Sequence, residues 1–339
     1  VSRSLFTLDI AAVRANARHV LDVLGGAELW AVVKADGYGH GAADVAVAAL
    51  QAGATALCVA TVPEGVALRP VVPGARVLVL GPTAPDDVPV ARTVGLELVV
   101  TDEHVPEGVP VHLKLDTGMG RWGLSELPAP GRDVVGLMTH FADADGDPAF
   151  THRQLERFLA ATAPYAGLTR HAANSAAALS LPASHLDAAR CGIALYGISP
   201  FGGEPSRWGL RPALRWESEV AGIRRLAPGD STGYGRRFVA KRETWIALVP
   251  VGYADGFRRD MTGSDVLVGD GRRRVVGTVS MDVIAVETPE PAETGTPVTL
   301  IGGGVVIEEH ARIAGTIGYE IACGLNTRAP RAERRVVDG

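Results

Sequence analysis

The stretch Trp30–Ala52, WAVVKADGYGHGAADVAVAALQA, holds one complete strand–loop–helix unit. Four apolar residues, Trp30 to Val33, run straight into Lys34. A loop follows with glycines at 37, 39 and 41 and a tyrosine at 38. A short apolar run closed by turn residues reads as a buried strand. Gly41–Ala52 reads as a helix lying against it. Lysine is rarely buried without a partner, so a lysine at the end of a buried strand asks for a chemical reason.

Outward from this unit the same two textures alternate. Strands are expected at Trp30–Lys34, Ala56–Thr61, Arg76–Gly81, Leu96–Thr101, Val111–Asp116, Asp133–Phe141, Thr169–Asn174 and Arg190–Tyr196. Helices are expected at Leu8–Leu24, with Asp9 as cap, at Gly41–Ala52 and Thr151–Tyr165, and at Pro63–Leu68, where proline suits a first turn. Eight strands separated by helical segments give a (β/α)8 TIM-type barrel. Near Leu210 the texture changes to strand-like runs broken by turn signals, as at Pro228-Gly229-Asp230 and Gly269-Asp270-Gly271. The expected organisation is α/β plus β: a barrel over residues 1–212 and a mostly β C-terminal domain over 213–339. Gly302–Gly304 opens no convincing helix and reads as a tight turn rather than a phosphate loop.

The whole chain sets outer bounds. It has 339 residues and a formal charge of −5, so there is no basic footprint for nucleic acid. No apolar run is long enough to span a bilayer, and no signal-peptide pattern opens the chain. No membrane association and a cytoplasmic location are expected. Cys58, Cys191 and Cys323 are widely spaced and fit neither a disulfide framework nor a metal site.

In such a barrel the active site lies at the C-terminal strand ends, and ionisable residues collect there. The first strand ends at Lys34. Alternation along Val111–Asp116 turns His112, Lys114 and Asp116 toward the barrel interior. His140 ends the sixth strand, His171 and Asn174-Ser175 the seventh, and Arg190 with Gly192 and Ile193 lies on the eighth. Any one of these reads well as a solvated loop residue; five strand ends together read as a site. A lysine in a low-dielectric site gives up its charge more easily than in water, and a neutral amine attacks carbonyls. Pyridoxal 5'-phosphate (PLP) needs such a lysine, a phosphate cradle and a group facing its ring nitrogen. Lys34 supplies the first. Ser175, the amides near Gly192 and Ile193, and Tyr38 supply the second. Arg190 supplies the third.

At this point the chain resembles the alanine racemases, fold-type III PLP enzymes, over nearly its whole length. The resemblance rests on AVVKADGYGHG around Lys34, KLDTGMGRWG from Lys114, MTHFADAD around His140, HAANSAA from His171, RCGIALYG from Arg190, TGYGR around Tyr234, PVGYADG around Tyr253 and TVSMD ending at Asp282. It implies that Lys34 links to PLP and serves as one base, with Tyr234 of the partner subunit as the other. It implies that Tyr38, Ser175 and Tyr319 hold the phosphate, that Arg190 faces the ring nitrogen, and that His140 links Tyr234 to Arg190. Arg121 and the backbone at Met281 would bind the alanine carboxylate. His171 and Asn174 would support the cofactor, while Tyr253, Met281 and Asp282 would line the substrate's way in from the partner chain. Lys114 resembles a lysine that becomes carbamylated and braces Arg121; an ordinary lysine paired with Asp116 is the alternative. A homodimer with shared sites, making D-alanine for peptidoglycan, is implied.

Other readings differ at named residues. A serine racemase or a broader-specificity racemase keeps the same catalytic half. An amino acid decarboxylase places an acidic residue where Arg190 stands. A PLP carrier with little turnover has the barrel alone, without the domain bearing Tyr234 and Met281-Asp282. Outside its motif, Tyr234 is a turn tyrosine, His171 a structural histidine and Tyr319 a packing residue.

Overall fold

The structure is a computed structural model and describes residues 3–339. It divides into two compact units: one of Val13–Phe201 and Trp208–Leu210, the other of the N-terminal segment up to Ala12 with Gly202–Arg207 and Arg211–Gly339. Among the described residues no helix is long and apolar enough to cross a membrane.

The first strand, β1 (Leu5–Asp9), belongs to the second unit. The first unit is a closed barrel of eight parallel strands in sequence order: β2 (Glu28–Val32), β3 (Ala56–Val59), β4 (Arg76–Val79), β5 (Glu97–Val100), β6 (Val111–Lys114), β7 (Val134–Met138), β8 (Thr169–His171) and β9 (Ala188–Cys191). The β2–β9 pair closes it, with Trp30 opposite Arg190. All eight expected strands are present, each shorter than its apolar run at the C-terminal end. At the ends of β2, β7 and β8 carbonyls are taken by side chains. Those of Thr139 and Ala172 accept from the Arg190 side chain, and that of Val32 from the Tyr196 hydroxyl. Side chains replace the ladder where the barrel opens.

Helices cover the barrel at Ala42–Ala52, Val62–Leu68 and Pro148–Thr162. The last starts before the expected Thr151, because Asp147 caps it by accepting from the Phe150 N–H and Pro148 takes the first turn. The expected helix Leu8–Leu24 is corrected to Ile10–Leu24. Leu5–Asp9 alternates in burial, with Phe6 and Leu8 fully enclosed, and pairs as a strand. Asp9 keeps its capping role, accepting from the Ala12 N–H at 3.1 Å.

The second unit is mostly β. Its further strands are β10 (Leu214–Glu219), β11 (Gly222–Leu226), β12 (Ser231–Thr232), β13 (Phe238–Val239), β14 (Thr244–Val249), β15 (Asp265–Val268), β16 (Gly271–Val276), β17 (Ile284–Thr288), β18 (Pro297–Ile301) and β19 (Glu333–Val337). Nine strands form one sheet in the order β11-β14-β17-β16-β15-β18-β10-β1-β19, and β12 pairs with β13. Gly269-Asp270 is the two-residue turn between β15 and β16, where Val268 faces Gly271. After β18, Gly302 and Val305 exchange backbone hydrogen bonds around a tight turn.

Candidate active site

In the barrel unit Lys34 follows β2 and is half-buried. The chain after it does something uncommon: Ala35, Asp36, Gly37 and Tyr38 all have positive φ, between 52° and 62°. One glycine aside, this is a left-handed turn of ordinary residues, which costs about 1–2 kcal/mol per residue. Side chains hold it. The Glu64 carboxylate accepts from the N–H of Ala35 at 2.9 Å and of Ala60 at 2.6 Å. Asp36 Oδ1 accepts from the Ala42 N–H at 3.0 Å. Backbone strain of this kind clusters at active sites, and the sequence reading did not single out Glu64.

Tyr38 is buried, its ring 4.9 Å from that of Tyr196. Ser175 Oγ accepts from the Gly192 N–H at 3.1 Å and the Ala194 N–H at 3.4 Å; Ile193 lies between those two amides. A Cβ on residue 192 would sit 2.5 Å from Tyr38 Oη. Glycine is therefore required here for space, and it keeps open a place where two hydroxyls and backbone amides converge. Such a cradle fits a phosphate monoester, so these residues fit PLP. Asn174 is otherwise engaged: its side chain caps the helix Ser175–Ser180, accepting from the Ala177 N–H at 3.0 Å.

Arg190 is buried in a web of acceptors. Nη1 donates to His171 Nδ1 at 2.7 Å and to the His171 carbonyl at 2.9 Å. Nη2 donates to the carbonyls of Thr139 and Ala172 at 2.8 and 3.1 Å and to His140 Nδ1 at 3.2 Å. Nε–H makes no hydrogen bond among the described residues. Burial pulls the guanidinium down to about 10, which leaves it cationic at neutral pH. Burial, then Arg190, lowers His171 and His140 well below the ordinary imidazole value; Lys114, Lys34 and Arg121 add to the effect on His140. Both histidines are neutral, and these cations share one field.

Lys114 is buried on β6. Burial, with Arg121 and then Arg190 nearby, lowers its ammonium to about 8. Among the described residues no carboxylate lies within ion-pair reach of it. Asp116 instead caps its own loop, Oδ1 accepting from the N–H groups of Gly118, Met119 and Gly120. Alternation placed His112 and Lys114 correctly inside, but Asp116 lies beyond the strand. Arg121 is exposed beside the Trp122 ring. Buried Cys58 and Cys191 are pushed up to about 12 by burial and offer no thiolate.

The remaining candidates lie in the second unit. Tyr234 is 74% exposed on a turn between Gly233 and Gly235, its carbonyl accepting from Thr278 Oγ1 at 2.7 Å. Tyr253 and Met281 are exposed on loops that touch backbone to backbone: Tyr253 N–H donates to the Ser280 carbonyl and Ala254 N–H to that of Met281. Only glycine fits at 252, where a Cβ would strike the Ser280 and Met281 carbonyls. Arg331 ties this shelf together by pairing with buried Asp255 at 2.8 Å and with Asp282 at 2.8 Å. Asp255 and Arg331 escaped the sequence reading because an ion pair across 76 positions leaves no local signal. Tyr319 is half-buried on the helix Gly318–Cys323.

Comparison with known proteins bears on this arrangement. Residues 8–200 match the family "alanine racemase, N-terminal domain" and residues 213–333 match "alanine racemase, C-terminal domain". The chain is 42% identical to the alanine racemase of Symbiobacterium thermophilum, over 96% of this chain and 95% of that one. It is 36% identical to alanine racemase 1 of Bacillus subtilis, over 96% and 91%. Its fold matches the crystal structure of the biosynthetic alanine racemase from Pseudomonas aeruginosa with a TM-score of 0.92 at 34% identity, covering 99% of this chain and 100% of that one.

Proposed function

The chain belongs to the alanine racemase family of isomerases, and on that footing we propose that it interconverts L- and D-alanine with two opposed bases. The observation that carries the reading is the meeting, in one barrel unit, of Lys34 on its strained turn, the Tyr38–Ser175–Gly192 cradle and the enclosed Arg190. PLP, when bound, supplies an aldehyde for the amino group and a ring that draws electrons from the α-carbon. Lys34 would hold it, and Tyr38, Ser175 and the amides near Gly192 and Ile193 would hold its phosphate, with Tyr319 nearby.

The chain's own residues then do the proton work. Racemisation takes a proton from one face of the α-carbon and returns one to the other, so two opposed bases serve it most directly. Lys34 would work on one face and Tyr234 of the partner subunit on the other. Arg190 can only donate, so His140 Nδ1 accepts and a neutral His140 carries its proton on Nε2. That N–H is set to donate to a phenol oxygen, which favours its anionic form. Arg190 keeps its own protons and so does not protonate a ring nitrogen, which limits side reactions. Arg121 would bind the substrate carboxylate, with the backbone at Met281 of the partner subunit. Lys114, a buried amine with a lowered pKa and no carboxylate partner, is suited to take up carbon dioxide and brace Arg121 as a carbamate. Tyr253 and Asp282 would shape the way in, and the product would supply D-alanine for peptidoglycan.

Chiral chromatography of single L-amino acids incubated with the protein and PLP tests this. An equal mixture from alanine, with serine far slower, is the expected result. Serine conversion as fast as alanine would make the chain a serine racemase, and no conversion at all would overturn catalysis.

A further inference from the structure

A line of hydrogen bonds crosses the barrel interior, and only its last member has entered the mechanism. Glu97 opens β5 and Arg76 opens β4. Arg76 Nε donates to Glu97 Oε1 at 2.8 Å and Nη2 to Oε2 at 3.1 Å. Glu97 Oε2 also meets His112 Nε2 at 2.9 Å, and His112 Nδ1 meets His171 Nε2 at 2.9 Å. His171 Nδ1 meets Arg190 Nη1 at 2.7 Å. Both imidazoles are fully enclosed.

The direction of every bond is set from both ends. A guanidinium only donates, so His171 Nδ1 accepts and its proton sits on Nε2. An ionised carboxylate only accepts, so His112 Nε2 carries the proton and its Nδ1 accepts. The middle bond then runs from His171 Nε2–H to His112 Nδ1, and the two derivations agree without conflict. Aligned bonds between a cation and an anion strengthen one another. The barrel is also shaped around the line. A Cβ on Gly136 of β7 would lie 2.5 Å from His112 Cε1, so that residue leaves the space the ring fills. Trp30 packs against both rings, 5.5 Å from the His112 ring and 4.4 Å from that of His171.

We infer that Glu97 and His112 are positioning residues for Arg190, acting through His171. By fixing His171 as an acceptor they commit Nη1, so that Nε–H stays the donor left for a ligand. The inference rests on the reading above that the cofactor ring nitrogen faces Arg190. Without its anchor, His171 is free to move its proton to Nδ1. Two N–H groups would then oppose each other, and the guanidinium would have to turn.

The test combines ring ¹⁵N NMR of the histidines, in the protein with and without PLP, with the visible absorbance of bound PLP and the ratio of racemisation to transamination. Wild-type His112 and His171 should both show the Nε2–H tautomer. His112→Leu breaks the line, and Glu97→Gln removes its anion. Each should change the His171 signals, shift the absorbance and lower the ratio about tenfold, as losing one charge-assisted hydrogen bond would. His112→Gln can accept from His171 and donate to Glu97, and should keep both signals and ratio. Arg76→Met should lower the melting temperature without altering either. The opposite tautomers in the wild type would overturn the inference. So would His171 signals unmoved in His112→Leu, or the same loss in His112→Gln as in His112→Leu. If PLP forms no lysine-linked absorbance with the wild type, the cofactor reading falls, while the NMR still decides the line.

Discussion

Arg190 makes five hydrogen bonds to groups that stay put, so its charge and its orientation are fixed together. Arg190→Glu would set an anion among three carbonyls and two neutral histidines and offer the ring nitrogen a proton partner. Transamination should rise relative to racemisation, checked as keto acid released per alanine racemised; an unchanged ratio would remove Arg190 from that role. Gly192→Ala places a methyl 2.5 Å from Tyr38 Oη. PLP affinity should fall by roughly tenfold or more, since an overpacked site costs about 1–3 kcal/mol. Equilibrium titration of the bound absorbance measures it, and wild-type affinity would mean that the cradle is elsewhere. Lys114 should take up ¹³C-labelled carbon dioxide and show a carbamate ¹³C signal that is absent from Lys114→Met. These residues were legible because each ends a strand or lies one alternation step inside. Asn174 was legible as a residue at a strand end, but its capping bond was not, because which donor a side chain satisfies depends on where the next helix begins.

Among elements, the left-handed turn after Lys34 is the most instructive. Its glycines announce a loop, yet Ala35, Asp36 and Tyr38 give no local hint of positive φ. The conformation is imposed by Glu64, which lies 29 positions from Ala35. Glu64→Gln keeps one acceptor and turns the other into a donor facing an N–H. It should destabilise the protein by about 0.5–1.5 kcal/mol, the net worth of a hydrogen bond at a partly exposed N–H, measured by denaturant unfolding. Racemisation should fall more than stability explains, since Lys34 sits on the released turn. The eight barrel strands were readable because strands covered on both faces become continuous apolar runs. The ends of β2, β7 and β8 were not, because Arg190 and Tyr196 take carbonyls there. β1 was hidden for another reason: its partners β10 and β19 lie more than 200 residues away, and its alternation runs directly into a helical pattern. β19, Glu-Arg-Arg-Val-Val, has too few apolar residues to announce itself.

At the scale of the molecule, two expectations follow from how charge and sites are distributed. Burial opposes ionisation of Glu97, yet its hydrogen bonds from His112 and Arg76 hold the carboxyl at about 2, below its ordinary value of 4.5. A depressed carboxylate contributes stability above its unfolded pKa and loses it as pH falls toward the folded one. Stability should therefore decline from about pH 4.5 down to about 2, and Glu97→Gln should flatten that limb in acid unfolding followed by circular dichroism. The second expectation concerns assembly. Lys34 and Tyr234 lie in different compact units, and Tyr234 is 74% exposed. If each site takes Lys34 from one chain and Tyr234 from its partner, then Lys34→Ala and Tyr234→Phe dimers are separately inactive. A mixed dimer has one site lacking both groups and one site with both intact. Random exchange of subunits should restore on the order of a quarter of wild-type activity, because a symmetric dimer repeats each site twice. Dissociating and re-pairing the two variants, then assaying alanine racemisation, decides it. Recovery fixes the site as shared; no recovery, with mixed dimers demonstrated by mass, would place both groups in the same chain's site and leave dimerisation without a catalytic role.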